Sequence, residues 1–340
     1  MNRARLVAAL IAAVGVSITI TGAGSALWLY RHAPVPRHAH AHVALLPPAS
    51  SAPFPQSAIG NPGPMHYVGV FEHDTVSSYR PVTLFTSVAG RKPNLTVSYS
   101  SWGMPFRARF VTAAAQAGAV VVVHMEPWHQ TMAAIAAGHS DRYLRRFAAA
   151  VRHYGGHVII SFAPEADGRW YPWGWHHAKP TRWVAAWRHV VTVFRQAGAT
   201  NVTWLWVVSG DNRVIGHLRD WWPGPRYVDW IGVDGYYFTR ASTFRSVIGN
   251  TVRSIRKFTR KPILVSEVGI GPRAGQAAKI PGLFAGIRRY HLLGLVYFDV
   301  NQHQGLYHQN WRLDDNPAAV AAFRAGVRSA QLHVARRPGG

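Results

Sequence analysis

The chain of 340 residues contains no cysteine. Disulfides and thiolate metal centres are therefore excluded. Acidic residues are scarce too, with 14 Asp and Glu against 37 Lys and Arg, for a formal charge of +23. Lysine is itself rare, so arginine carries nearly all of that positive charge. Such a balance suits an anionic membrane surface, an acidic polymer, nucleic acid, or an adaptation to acidic surroundings. No long Lys/Arg run and no nucleic-acid motif occurs, so nucleic acid is not an expected partner. No phosphate-type glycine loop follows an early strand, which disfavours a doubly wound open sheet.

The shortage of acids makes each one informative. The glutamates are Glu72, Glu126, Glu165 and Glu267. Each follows an apolar run directly or within a few residues: YVGVF, AVVVVHM, VIISFAP and PILVS. Surface glutamates would be scattered over helices, whereas these four stand where strands end.

At the N-terminus, Arg3 and Arg5 precede an uncharged apolar stretch from Leu6 to Tyr30. That length suits a membrane span, and Gly24-Ser25-Ala26 offers a cleavage site, so residues 1–30 are an anchor or a signal peptide. Either reading places the rest of the chain at the cell envelope or outside the cell. Residues 31–65 hold eight of the 22 prolines, with Ala, Ser and His, and read as a tether without a core. The alternating His38, His40 and His42 fit a solvated tether better than a metal site.

From Met65 onward, short apolar runs alternate with amphipathic segments. The candidate strands are Tyr67–Phe71, Asn94–Ser100, Ala119–Met125, His157–Ala163, Asn201–Val208, Val228–Val233, Pro262–Ser266 and Leu293–Phe298. The clearest helices are Arg107–Ala117, Asp141–Tyr154, Thr181–Ala197, Thr243–Thr259 and Pro317–Ala330. Ser140 is the expected N-cap of the second, and Gly155 and Gly198 the stops of the second and third. Eight strands alternating with helices predict a (β/α)8 TIM barrel over residues 66–332, followed by a basic tail at 333–340. Reactive groups in such a barrel gather at the carboxyl ends of the strands. All four glutamates are then expected to point into one bowl.

The stretch His157 to Trp175 is the most unusual part of the chain. An apolar run ends just before Glu165, and Gly168 leads into Trp170, Tyr171, Trp173 and Trp175, broken by Pro172 and Gly174. A carboxyl beside flat rings is what a sugar-cleaving site requires: the acid moves a proton and the rings stack on pyranose faces. Trp170 and Trp173 are the expected stacking residues. Loops are seldom this aromatic unless they line something.

The run Phe162-Ala163-Pro164-Glu165, then Gly168 and Trp170-Tyr171-Pro172-Trp173-Gly174, resembles glycoside hydrolase family 26. That family holds β-mannanases of the retaining (β/α)8 clan. Further matches follow in order: Ala186 to Val190, Asn201-Val202, Trp204 to Trp206, Tyr227 to Tyr236, Ser266-Glu267-Val268-Gly269 and Trp311 to Asp314. Upstream, Glu126-Pro127-Trp128 resembles a strand-3 motif of bacterial members, and the likeness spans roughly residues 66–330.

The resemblance implies a retaining endo-β-glycosidase on a β-1,4-linked polysaccharide, mannan-type first, needing no metal or other cofactor. It implies Glu165 as acid/base, Glu267 as nucleophile and Tyr236 as the tyrosine that hydrogen-bonds the nucleophile. Retention needs the two carboxyls about 5–5.5 Å apart. Glu126, Trp128 and Glu72 are candidate substrate contacts, and a monomer is expected. Two positions depart from the family pattern. Pro164 replaces the usual His before the acid/base, and Asp167 stands where Asn is usual, at a position that supports substrate contacts. These departures leave open a carbohydrate-binding barrel without activity, or a β-glucan, xylan or exopolysaccharide substrate.

Overall fold

The computed structural model describes residues 65–72, 78–210, 218–302 and 309–335. The anchor or signal segment, the tether, His73 and the end of the basic tail lie outside the described residues.

Eight parallel strands close into a barrel in chain order. They are β1 (Tyr67–Phe71), β2 (Leu95–Ser101), β3 (Val120–Glu126), β4 (Val158–Phe162), β5 (Val202–Ser209), β6 (Trp230–Tyr237), β7 (Ile263–Ile270) and β8 (Gly294–Phe298). The ring closes where β1 pairs β8 over its whole length, from Tyr67 opposite Gly294 to Phe71 opposite Phe298. Outside it lie α1 (Arg80–Ala89), α2 (Ala108–Gln116), α3 (Met132–Ala136), α4 (Asp141–Tyr154), α5 (Pro180–Gln196), α6 (Asn250–Ile255), α7 (Gln276–Arg289) and α8 (Pro317–Ala335). A two-stranded hairpin, Asn301–Gln302 with Gln309–Asn310, follows β8.

The strands form because β-branched and aromatic residues alternate between two buried environments. On β3, Val120 and Val122 pack inside the barrel with Leu95, Val97, Ile159 and Leu264. Val121 and Val123 pack outward against the helices, with Phe110, Leu144 and Phe147. The same period carries His124 and Glu126 onto the inner face. At Gly232 on β6 the lumen has no room for a side chain, since a Cβ would lie 2.3 Å from Ser266 Oγ and 2.7 Å from Val207 Cγ2.

Three local expectations are corrected. Ser140 does not cap α4: its hydroxyl instead accepts the Trp102 indole N–H at 3.2 Å. The continuous helix expected over Thr243–Thr259 is a π-helical turn, Arg245–Gly249, running into the short α6. β7 does not stop at Ser266. It continues to Ile270, so Glu267 lies within a strand rather than beyond one. Gly155 does cap α4 in the left-handed conformation, at φ 72°.

Candidate active site

Glu165 sits three residues past Phe162, the last residue of β4, on an unusual backbone. Ala163 and Glu165 both take positive φ, 47° and 52°. Non-glycine residues hold that region only when their surroundings over-determine it. The aromatic loop supplies the surroundings. The Trp173 indole donates to the Pro164 carbonyl at 2.8 Å, and the Trp183 indole to the Ala163 carbonyl at 3.2 Å. The Glu165 N–H donates to Val207 of β5 at 3.0 Å. Gly174 lets the loop close on itself, because a Cβ there would meet the Gly168 carbonyl at 2.2 Å.

Glu267 reaches the same space by a bulge. Gly232 and Asp234 of β6 face Leu264 and Glu267, so two residues on one strand oppose three on the next. On the other side, Val265 and Val268 face Leu295 and Tyr297 of β8. One extra residue on β7 therefore turns Glu267 inward while Val265 and Val268 both stay outward. The Tyr99 hydroxyl donates to Glu267 Oε1 and the Tyr236 hydroxyl donates to Oε2.

The two carboxyls differ in electrostatics although both are buried, Glu165 at 6% exposure and Glu267 at 2%. Burial raises both above the usual carboxylate range. For Glu267 the two tyrosine donors oppose that rise by stabilising its charged form. Glu165 is pushed well up by burial, then by the negative charge of Glu267, and further by Asp167 and Glu126. Only the Trp170 indole, donating at 2.9 Å, works the other way. The arrangement therefore keeps one carboxyl protonated beside one that is readier to ionise, which is how acid and nucleophile roles separate.

Glu126 joins this group from β3. It is fully buried and pushed to about 8, chiefly by burial, with Glu267 adding to the rise and the Trp128 indole opposing it. That indole donates to Oε2 at 3.1 Å, while Oε1 has no partner. Half-buried Trp128 rests edge-on against Tyr171 and Trp173, with centroids 5.8 and 5.0 Å away. His124 lies below, fully buried and stacked on Tyr99 at 5.1 Å. Burial lowers its pKa to about 3, so the imidazole is neutral.

Three other expected site residues sit elsewhere. Trp173 is fully buried, stacked on Tyr171 at 4.4 Å, and has no face left for a sugar. Half-buried Trp170 keeps part of its surface open. Asp167 accepts the Ser209 N–H with both oxygens, at 3.0 and 3.2 Å, and ties the Glu165 loop to β5. Glu72 does not join the other glutamates. The register that sets Phe71 beside Phe298 carries the next residues, Glu72 and Asp299, side by side. Burial and then the charge of Asp299 push Glu72 to about 9.

One residue of the site was missed from the sequence. Tyr99 follows Leu95 and Val97 on the inner face of β2, and that alternation alone would have aimed it at the site. Asp234 stands opposite Glu267, is pushed well up by burial and the charges of Glu267 and Glu165, and accepts the Ser266 hydroxyl at 2.5 Å.

A closed (β/α)8 barrel with buried, unequal carboxyls at the strand ends is an architecture that glycoside hydrolases use. Residues 141–285 match the model of glycosyl hydrolase family 26. The likeness to that family is carried by those residues, fewer than half of the chain. It is 27% identical over 274 residues to endoglucanase H of Acetivibrio thermocellus, covering 74% of this chain and 29% of the relative. A β-1,3-xylanase, TXYA of a Vibrio species, is 30% identical over 112 residues, or 32% of this chain and 23% of the relative. The chain thus spans less than a third of the length of these curated relatives. The fold is shared with a family 26 β-mannanase from Bacteroides ovatus at a TM-score of 0.59 and 14% identity, over 79% of this chain and 89% of that one. A modular endo-β-1,4-mannanase from Cellulomonas fimi gives 0.59 and 17%, over 83% and 72%.

Proposed function

We propose that the chain is a retaining endo-β-glycosidase that cleaves a β-1,4-linked polysaccharide, mannan-type first, by double displacement. The observation that carries this reading is the inequality of Glu165 and Glu267. Glu267, held by two tyrosine hydroxyls, attacks the anomeric carbon as a carboxylate. Glu165, kept protonated by burial and by the charge of Glu267, protonates the leaving oxygen. Once the glycosyl-enzyme has formed, Glu267 is neutralised as an ester and Glu165 loses that raising influence. It then takes a proton from the attacking water. The Trp170 indole holds the Glu165 carboxyl toward the cleft through both halves of the reaction.

Support for mannan comes from the solved neighbours, which are named as β-mannanases. A β-glucan substrate is the second reading, because the relative matching most of this chain is named an endoglucanase. That name belongs to a protein more than three times as long as the matched part, so it carries less weight for this barrel. A silent binding barrel is disfavoured by one of the two departures: the Asp167 carboxylate holds the Ser209 N–H and so braces the Glu165 loop.

The test is release of reducing ends from mannan, glucomannan, lichenan and xylan by the full chain. Mannan and glucomannan are expected to be cut fastest, with retained anomeric configuration in the first product. Faster cleavage of lichenan moves the substrate to β-glucan. Binding without product in any arm overturns the hydrolase reading.

A further inference from the structure

The face of the barrel opposite the carboxyl mouth carries an open cleft of about 580 Å³. It lies between Pro225, in the connection from β5 to β6, and the turn from α6 to β7. Arg256, Lys257, Arg260 and Lys261 line it with Phe258, and no acid does. None of the four cations is paired with a carboxylate among the described residues. The charge of Arg260 adds to burial in lowering the Arg256 pKa, the mark of cations crowded without a counter-charge.

The cleft is preformed. The Arg256 guanidinium donates to the Lys261 carbonyl at 2.7 Å and closes the turn on itself. The Lys261 N–H donates to Thr259 Oγ1 at 3.3 Å. Phe258 is fixed by ring contacts to Trp206 at 6.3 Å and Trp222 at 5.8 Å, so its half-exposed ring is a rigid floor. Cations in the last turn of a helix are ordinary, because they complement its carbonyl end. That accounts for Arg256, the C-cap of α6, and for Lys257 next to it. Arg260 and Lys261 lie beyond α6, where the helix field has fallen away.

We propose that this cleft binds an acidic polysaccharide, with uronate carboxylates on the cations and a pyranose face on Phe258. Arginine suits the planar, two-oxygen geometry of a carboxylate. An aromatic floor between prolines suits a ring with one apolar face better than it suits a bare phosphate. The site is separate from the catalytic mouth, so an enzyme held there keeps its mouth free for a neutral chain in the same matrix.

The experiment measures binding of the full chain to polygalacturonate at low and moderate salt. The variants are Lys257→Glu with Arg260→Glu, and the charge-matched control Arg142→Glu with Arg146→Glu on α4. All four positions are exposed, and melting temperatures check that each variant folds. The cleft variant is expected to weaken polygalacturonate binding at least tenfold and the control less than twofold. Cleavage of neutral glycan stays unchanged in both, so the outcome does not depend on the catalytic reading. Equal losses in the two variants, or no binding by the unmodified chain, overturn the proposal. Anionic vesicles or DNA bound more tightly than polygalacturonate, with the same sensitivity to the cleft variant, overturn the glycan assignment.

Discussion

Two pairs of carboxyls, buried except for the half-buried Glu72, stand at the same end of this barrel, and they are built for different ends. Glu165 and Glu267 meet in a space shared with the tyrosine hydroxyls of Tyr99 and Tyr236 and the half-buried indole of Trp170. Glu72 and Asp299 meet at the seam where β1 joins β8. There Asp299 accepts the Leu313 N–H at 2.7 Å and pins the segment that leads into α8. Arg312, which is paired with Asp314, lowers the Glu72 pKa only in part. Burial raises the acids of both pairs, so a displaced pKa alone does not mark a catalytic carboxyl. The difference lies in the partners. Hydroxyl and indole donors hold a carboxyl while leaving lone pairs for substrate, whereas a backbone N–H commits it to the framework.

The sharpest way to break this contrast is to remove the carboxyls one at a time. Glu267→Ala and Glu165→Gln are expected to lower kcat/KM on the best glycan by about a thousandfold, within the range general acid–base groups supply. Glu72→Gln should stay within about tenfold of the unmodified enzyme, since its role is to hold a seam. Steady-state kinetics on one substrate decides it, and an equal loss at Glu72 would merge the two pairs into one site.

Next in size is Tyr99→Phe, expected to cost about 10–100-fold, in line with the loss of one well-placed catalytic hydrogen bond. Without that donor the charged form of Glu267 is less stabilised and its pKa rises. The acid limb of the kcat/KM profile therefore moves to higher pH, while the alkaline limb stays. Tyr236→Phe should act in the same direction. Trp170→Phe acts on the other limb. Its indole lowers the Glu165 pKa, so removing it keeps the acid protonated to higher pH and moves the alkaline limb upward.

The smallest expected effect is on stability. Glu126 and Glu72 have folded pKa values of about 8 and about 9, above the unfolded carboxylate range. Their protonated forms favour the fold fully below that range, and the contribution fades as pH rises through those values. Melting temperature should therefore fall between about pH 5 and 9. Glu126→Gln and Glu72→Gln should each flatten that slope by a few degrees, since about 1 kcal/mol shifts a domain of this size by about 2–4 °C or less.

Much of this barrel was legible from the sequence because each strand is a short apolar run and acids are rare. Glu126 and Glu165 could be placed at strand ends by that reasoning alone. Glu267 was placed correctly in the chain but on the wrong backbone, since nothing in Ser266-Glu267-Val268 announces a bulge. Trp170 and Trp173 stand three residues apart in one loop, and only packing shows that the first is half-buried and the second is sealed. Asp167 read as a substrate contact because its partner, the Ser209 N–H, lies 42 residues away along the chain. Glu72 read as a fourth mouth acid because its companion Asp299 comes from the far end of the barrel sequence.

The φ of 52° at Glu165 has a consequence for how this position tolerates change. Glycine adopts that conformation without a Cβ penalty, and β-branched residues fit it worst. A library of all substitutions at 165 should therefore rank glycine among the best for soluble yield and among the worst for turnover. At this residue, selection for abundance and selection for chemistry pull in opposite directions, and a survey of expression alone would name the wrong residue as the fittest.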